Sequence, residues 1–215
     1  MTPARSLAER SSVTWLGATV SFRRLDDPGN QADLSAAEFA LARGAGSERR
    51  AQELAAGRAA ARAAFRGAGV WPLPEVRKGS DQRPQVHPPN GWQVSLSHDG
   101  GLAVAACARE AVGVDVVHLG RADQLARALQ SANAPDPAGL GLTIVAGVLP
   151  WPAPVVCWSG WEALAKRVGV GLGGVEQVSL DVAVRGGVAT GFVGPVHLRW
   201  WGVGAHVCCL ATVVP

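Results

Sequence analysis

The sequence has 215 residues, of which 48% are hydrophobic and 17% charged, so it is long and apolar enough to build a core and is not a disordered chain. A net charge of +3 and a pI of about 8.9 lean mildly towards anionic partners, far short of a dedicated nucleic-acid binder. Cys107, Cys157, Cys208 and Cys209 form no CxxC pair, residues 1–12 hold Arg5, Glu9 and Arg10 without an apolar h-region, and the longest apolar run, 138–149, is too short to span a bilayer. A cytoplasmic protein with no membrane or nucleic-acid partner is expected.

In chain order, residues 1–12 read as a tail. The alternation over 13–22 predicts a first strand. Ser35, with Glu38 three residues on, predicts a capping box at the start of a helix. The Ala/Arg-rich stretch 47–68 predicts a long helix that stops near Gly67 and Gly69. Arg58, Arg62 and Arg66 recur at four-residue spacing and predict one basic face. Residues 72–89, rich in Pro and charge, read as loop.

Trp92, Val94 and Leu96, then the turn His98-Asp99-Gly100-Gly101, then Leu102, Val104 and Ala106 predict a hairpin. A strand over 111–117 and a short helix over 121–131 follow, and 133–154 reads as a connection without an element. A second main helix is predicted from Trp158 to Arg167 or Val168, ended by Gly169 and Gly171. Strands are predicted at Val178 to Val184, at Val196 to Trp200 and over 206–214, with a turn at Arg185-Gly186-Gly187. Blocks of helix and strand, rather than strict alternation, indicate an α+β fold. The expected division is an N-terminal lobe over 13–110 and a C-terminal lobe over 111–215, each with one long helix and about three strands.

Three short motifs can carry chemistry. In Ser95-Leu96-Ser97-His98-Asp99-Gly100-Gly101, His98 is either an exposed turn residue or a donor aimed at an anion. In Gly113-Val114-Asp115-Val116-Val117-His118, Asp115 sits in an apolar strand, where an unpaired charge is costly. It is either a metal ligand or an acceptor of hydrogen bonds at the strand end. In Trp158-Ser159-Gly160-Trp161-Glu162-Ala163-Leu164-Ala165-Lys166, Glu162 and Lys166 share a helix face, and by themselves they read as a stabilising i,i+4 ion pair.

Taken together, the order and spacing resemble the 4′-phosphopantetheinyl transferases, in the longer, two-lobed, surfactin-synthetase-type branch. That family shows a basic residue then Pro, an S-H turn, G-[VI]-D-[IV], and W-x-x-K-E-x-x-x-K followed by G-x-G-L. The corresponding residues here are Arg83-Pro84, Ser97-His98, Gly113 to Val116, Trp158 to Lys166, and Gly169-Val170-Gly171-Leu172. The resemblance implies two similar α+β lobes related by a pseudo-twofold, an active site in the cleft between them, and a monomer. It implies transfer of the phosphopantetheine arm of coenzyme A to a serine of an acyl or peptidyl carrier protein, with Mg²⁺.

By the same resemblance Arg83, Ser97 and His98 would hold the 3′-phosphate of coenzyme A, helped by Arg58 and Arg62 of a G-x-x-x-x-R element. Asp115 and Glu162 would bind Mg²⁺, Lys166 would contact the phosphates, and Glu162 would be the general base. Arg121 and Arg127 would face an acidic carrier protein. The chain departs from the pattern at Val117, where the longer enzymes carry a second acid. It departs again at Trp161, where a Lys precedes the Glu, and at Gln82, where Gly often precedes the basic-Pro pair. These departures leave two alternatives, a coenzyme A-binding homologue that no longer catalyses and a Mg²⁺-dependent phosphohydrolase using Asp115 and Glu162.

Overall fold

The computed structural model describes residues 12–81, 83–131, 142–170 and 180–213. The expectations for residues 1–11, Gln82, Gly171, Leu172 and Val178 lie outside these residues. Contacts divide the chain into two compact units that meet at Glu110 and Ala111.

The first unit opens with a hairpin, β1 (Val13–Trp15) and β2 (Ala18–Arg24), where one strand was expected. Leu16 and Gly17 both take positive φ, at 46° and 76°, which makes the tight two-residue turn. A short α1 (Gly29–Ala32) precedes α2 (Ala36–Arg43), whose N-cap Ser35 and Glu38 form the expected capping box. Helix α3 (Glu48–Gly67) starts at the N-cap Ser47.

The stretch expected as loop folds instead into a small hairpin, β3 (Glu75–Lys78) and β4 (Pro84–His87). The expected hairpin forms as β5 (Gln93–Asp99) and β6 (Leu102–Ala108), turning on Gly100 and Gly101 at φ 51° and 90°. The main sheet has the order β1-β2-β6-β5, antiparallel throughout. Helix α3 crosses β2, β6 and β5. Small residues on both sides make this packing close: Ala56, Ala59, Ala60 and Ala64 of α3 and Ala103, Ala105 and Ala106 of β6 are wholly buried. Phe65 closes that core edge-on to Trp92, with ring centroids 6.2 Å apart.

The second unit begins with β7 (Gly113–His118), a short 3-10 turn (Leu119–Arg121) and α4 (Ala122–Ser131). Where a bare connection was expected, β8 (Leu142–Ala146) forms, and α5 (Ala153–Val168) begins five residues before Trp158. It ends as expected at Gly169, which takes a left-handed conformation at φ 75°. Four strands follow: β9 (Leu180–Arg185), β10 (Val188–Val193), β11 (Val196–Val203) and β12 (His206–Val213). The sheet order is β7-β12-β11-β10-β9-β8, antiparallel except for the parallel β8–β9 pair at its edge.

Helix α5 lies across β7 and β12 and reaches β11, while α4 packs on α5. Leu125 and Leu129 of α4, Val155, Val156, Trp161 and Leu164 of α5, and Leu198 and Trp200 of β11 share one core. Trp200 donates its indole N–H to the Val156 carbonyl at 3.0 Å, tying β11 to the helix. Among the described residues no helix is long and apolar enough to cross a membrane.

Candidate active site

In the second unit, β7 and α5 bring three of the expected residues together. Asp115 is only 4% exposed. Lys166 Nζ donates to Asp115 Oδ1 at 2.6 Å and lies 4.0 Å from Glu162 Oε2. The two carboxylates therefore share one ammonium. The approach is set by Gly113, where a Cβ would overlap the backbone of Ala163 and Arg167 in α5. Only glycine lets the helix lie this close to the strand that carries Asp115. The four-residue spacing of Glu162 and Lys166 then aims both side chains back at Asp115.

Burial pushes the Glu162 carboxyl above the usual glutamate range; Lys166 opposes this and Asp115 adds to it. Val117 follows Asp115 by two residues on the same side of the strand, is 1% exposed and belongs to the apolar core. Trp161 also joins that core, and its indole N–H is buried without a partner. The chain thus puts packing where the family pattern puts a second acid and a lysine. Among the described residues no three His, Cys, Asp or Glu side chains form a metal cluster. All four cysteines are buried, and burial pushes the Cys107 and Cys157 thiols up to about 12, so none is an activated nucleophile.

The first unit holds the basic residues. Val94, Leu96 and His98 alternate onto one face of β5, and Ser97 turns to the other. His98 is thus a strand residue opposite Ala103, not the hairpin tip. Its Nε2 meets Arg50 Nη1 at 3.3 Å and Glu53 Oε2 at 3.6 Å, both from α3. Arg50 is a residue that the motif reading missed; its mark in the sequence is its place eight residues before Arg58, two turns along the same helix. Burial works to raise the Glu53 carboxyl, but hydrogen bonds from Arg50 and Arg49 and the nearby His98 outweigh it and hold it below the usual range.

Arg58 and Arg62 do not form an exposed basic face. Arg58 is 6% exposed, and Arg62 lies 3.7 Å from Glu38 Oε2. Glu38, buried at the start of α2, also accepts from the backbone N–H groups of Ser35 and Val76, each at 2.9 Å. Burial lowers the Arg58 guanidinium, with Glu38 opposing and Arg50 adding to the effect. The Nε atoms of Arg58 and Arg62 are both buried without a partner, so this region carries more buried positive charge and more donors than Glu38 satisfies. Arg66 alone of the three is well exposed, paired with Asp33 at 3.4 Å. Arg83 lies in the β3–β4 turn, where Asp81 accepts from its backbone N–H at 3.1 Å and pairs with its Nε at 3.2 Å.

Residues 37–108 match the family model of the 4′-phosphopantetheinyl transferase N-terminal domain. The matched span, about a third of the chain, runs from α2 to the end of β6. It contains Glu38, Arg50, Glu53, Arg58, Arg62, Arg83, Ser97 and His98, and it ends before Asp115, Glu162 and Lys166. The match therefore supports the phosphopantetheinyl transferase superfamily through the first-unit part of the pattern. No curated protein matches the chain significantly.

Proposed function

We propose that the chain transfers the 4′-phosphopantetheine arm of coenzyme A to a serine hydroxyl of an apo acyl or peptidyl carrier protein, acting as a monomer and releasing 3′,5′-ADP. The observation that carries this reading is the convergence of Asp115 and Glu162 on the single ammonium of Lys166. Two carboxylates that already share a cation, one of them raised by burial, form the donor set Mg²⁺ takes when phosphate oxygens and water complete its shell. Asp115 and Glu162 would hold the ion, which when bound neutralises pyrophosphate charge.

The remaining steps belong to the chain. Glu162 accepts the proton of the carrier serine, and the raised carboxyl suits a base working near neutral pH. The serine oxygen forms a bond to the phosphorus that carries pantetheine. The bond from that phosphorus to the bridging oxygen breaks, and its electron pair leaves with 3′,5′-ADP. Lys166 stabilises the charge that grows on the departing phosphate. In the first unit, His98 with Arg50 holds the 3′-phosphate. The under-compensated Arg58 and Arg62, with Arg83 and Ser97, supply further donors and positive field to the same anion.

A second reading is favoured by Val117 and Trp161, both given over to core packing: a homologue that binds coenzyme A without transfer. Intact mass of a panel of apo carrier proteins, incubated with coenzyme A and Mg²⁺, separates the two. A gain of one phosphopantetheine arm is expected on at least one carrier. Coenzyme A binding without any gain across fatty acid, polyketide and peptide carriers selects the second reading. Release of phosphate without a carrier would point instead to a phosphohydrolase.

Replacing His98 by alanine removes one hydrogen bond to a charged phosphate. It is expected to weaken coenzyme A by about 10- to 100-fold, while dephospho-coenzyme A changes little. Calorimetric titration of both ligands measures this, and equal losses for the two would remove His98 from the 3′-phosphate.

A further inference from the structure

In the first unit, Glu53 is the hub of a small constellation around His98. Its side chain is 12% exposed. Oε1 accepts from Arg49 Nε at 3.2 Å, and Oε2 accepts from Arg50 Nη1 at 3.1 Å. Arg50 Nη1 in turn lies 3.3 Å from His98 Nε2. Arginine only donates, so this contact makes His98 Nε2 an acceptor and places the proton of the neutral ring on Nδ1. When the ring is charged, Nε2 carries a proton towards Glu53 Oε2 at 3.6 Å, and Nδ1 keeps its own. In either state the ring is tethered through Nε2, and Nδ1 carries a hydrogen.

We infer that Glu53 is a positioning residue that holds Arg50 against His98 Nε2 and so fixes Nδ1–H as the donor His98 offers to an anionic ligand. The inference rests on the reading of His98 as a 3′-phosphate residue. It assigns to Glu53 an effect opposite to that of its charge. As a bare carboxylate beside a phosphate site, Glu53 repels the ligand, and neutralising it strengthens binding. As the anchor of Arg50, its loss frees the guanidinium and the imidazole together and weakens binding.

The test uses the full chain with Glu53→Gln and Glu53→Asp; the second keeps the charge but shortens the reach by one methylene. Nitrogen-15 NMR of labelled histidine reads the tautomer above the titration range, which a merely structural role does not move. The native His98 is expected as the Nδ1–H form, and both variants as mixtures with Nε2–H. Titration with coenzyme A and dephospho-coenzyme A reads the ligand side. The preference for coenzyme A is expected to fall about tenfold or more in both variants, the worth of one charge-assisted hydrogen bond.

Variants that keep the Nδ1–H form and the full preference, or bind coenzyme A more tightly, overturn the inference. A native protein that does not distinguish the two ligands overturns instead the 3′-phosphate reading of His98, and the tautomer still decides whether Glu53 sets the ring.

Discussion

Gly113→Ala is expected to cost the protein about 3 kcal/mol or more and to abolish transfer with it. A methyl group at this position would overlap the carbonyl oxygen of Ala163 and come within 2.7 Å of the Arg167 backbone nitrogen. No side chain can swing away to relieve this, because the atoms met belong to the backbone of α5. Ordinary overpacking costs about 1–3 kcal/mol, and a clash between rigid backbones belongs at the upper end or beyond. For a chain of this size each kcal/mol moves the melting temperature by roughly 2–4 °C, so a fall of about 6 °C or more is expected by circular dichroism. A helix lifted from β7 also carries Glu162 and Lys166 away from Asp115. An unchanged melting temperature would mean that α5 does not rest on the strand at Gly113.

Glu162→Gln separates chemistry from stability. Loss of a general base lowers rates by about 10²- to 10⁴-fold, and a loss in that range is expected for carrier modification. Stability should move the other way. The folded protein binds the Glu162 proton more tightly than the unfolded chain, because burial raises the carboxyl. Stability from this group is therefore complete below the usual glutamate range and is lost as pH rises through the raised value. As pH rises the native carboxylate has to ionise against its surroundings, and its i,i+4 pairing with Lys166, at 4.0 Å, does not offset the burial. The glutamine variant should melt higher than the native chain at pH 7.5 in a chelating buffer, with the gain vanishing near pH 4. A variant that melts lower at neutral pH would show that the Lys166 contact outweighs burial.

The features legible in the sequence were those with a local physical signature. Ser35 with Glu38 and Gly169 after α5 are caps, and caps declare themselves within four residues. The β5–β6 hairpin was visible from its alternation and its Asp-Gly signal. What stayed hidden depended on tertiary contacts. Leu16 is not a turn residue by type, so β1 and β2 looked continuous. Strand β10 contains Gly191, which reads as a breaker; the structure uses it because the Trp200 ring lies over it, 3.2 Å from where a Cβ would be. The first turn of α5 holds Val155 and Val156, which carry strand propensity but are buried in the core.

The same division runs through the candidate site. The i,i+4 spacing of Glu162 and Lys166 was readable, whereas their meeting with Asp115 across about fifty residues depended on Gly113. The spacing of the α3 arginines gave a basic face, but spacing does not show what covers it. Glu38, recognised only as a cap, proved to be the carboxylate beneath Arg62. Arg50 was passed over because its alignment with Arg58 along the helix does not show a partner; only the arrival of β5 beside α3 gives it His98 as a neighbour.

Val117 has a corollary for redesign. Its side chain is wholly enclosed by the core of the second unit. Placing an acid there would bury a carboxylate in an apolar core, a cost of several kcal/mol without a compensating cation. An acid designed into position 117 would therefore have to come with changes in its neighbours that admit water or a counter-charge.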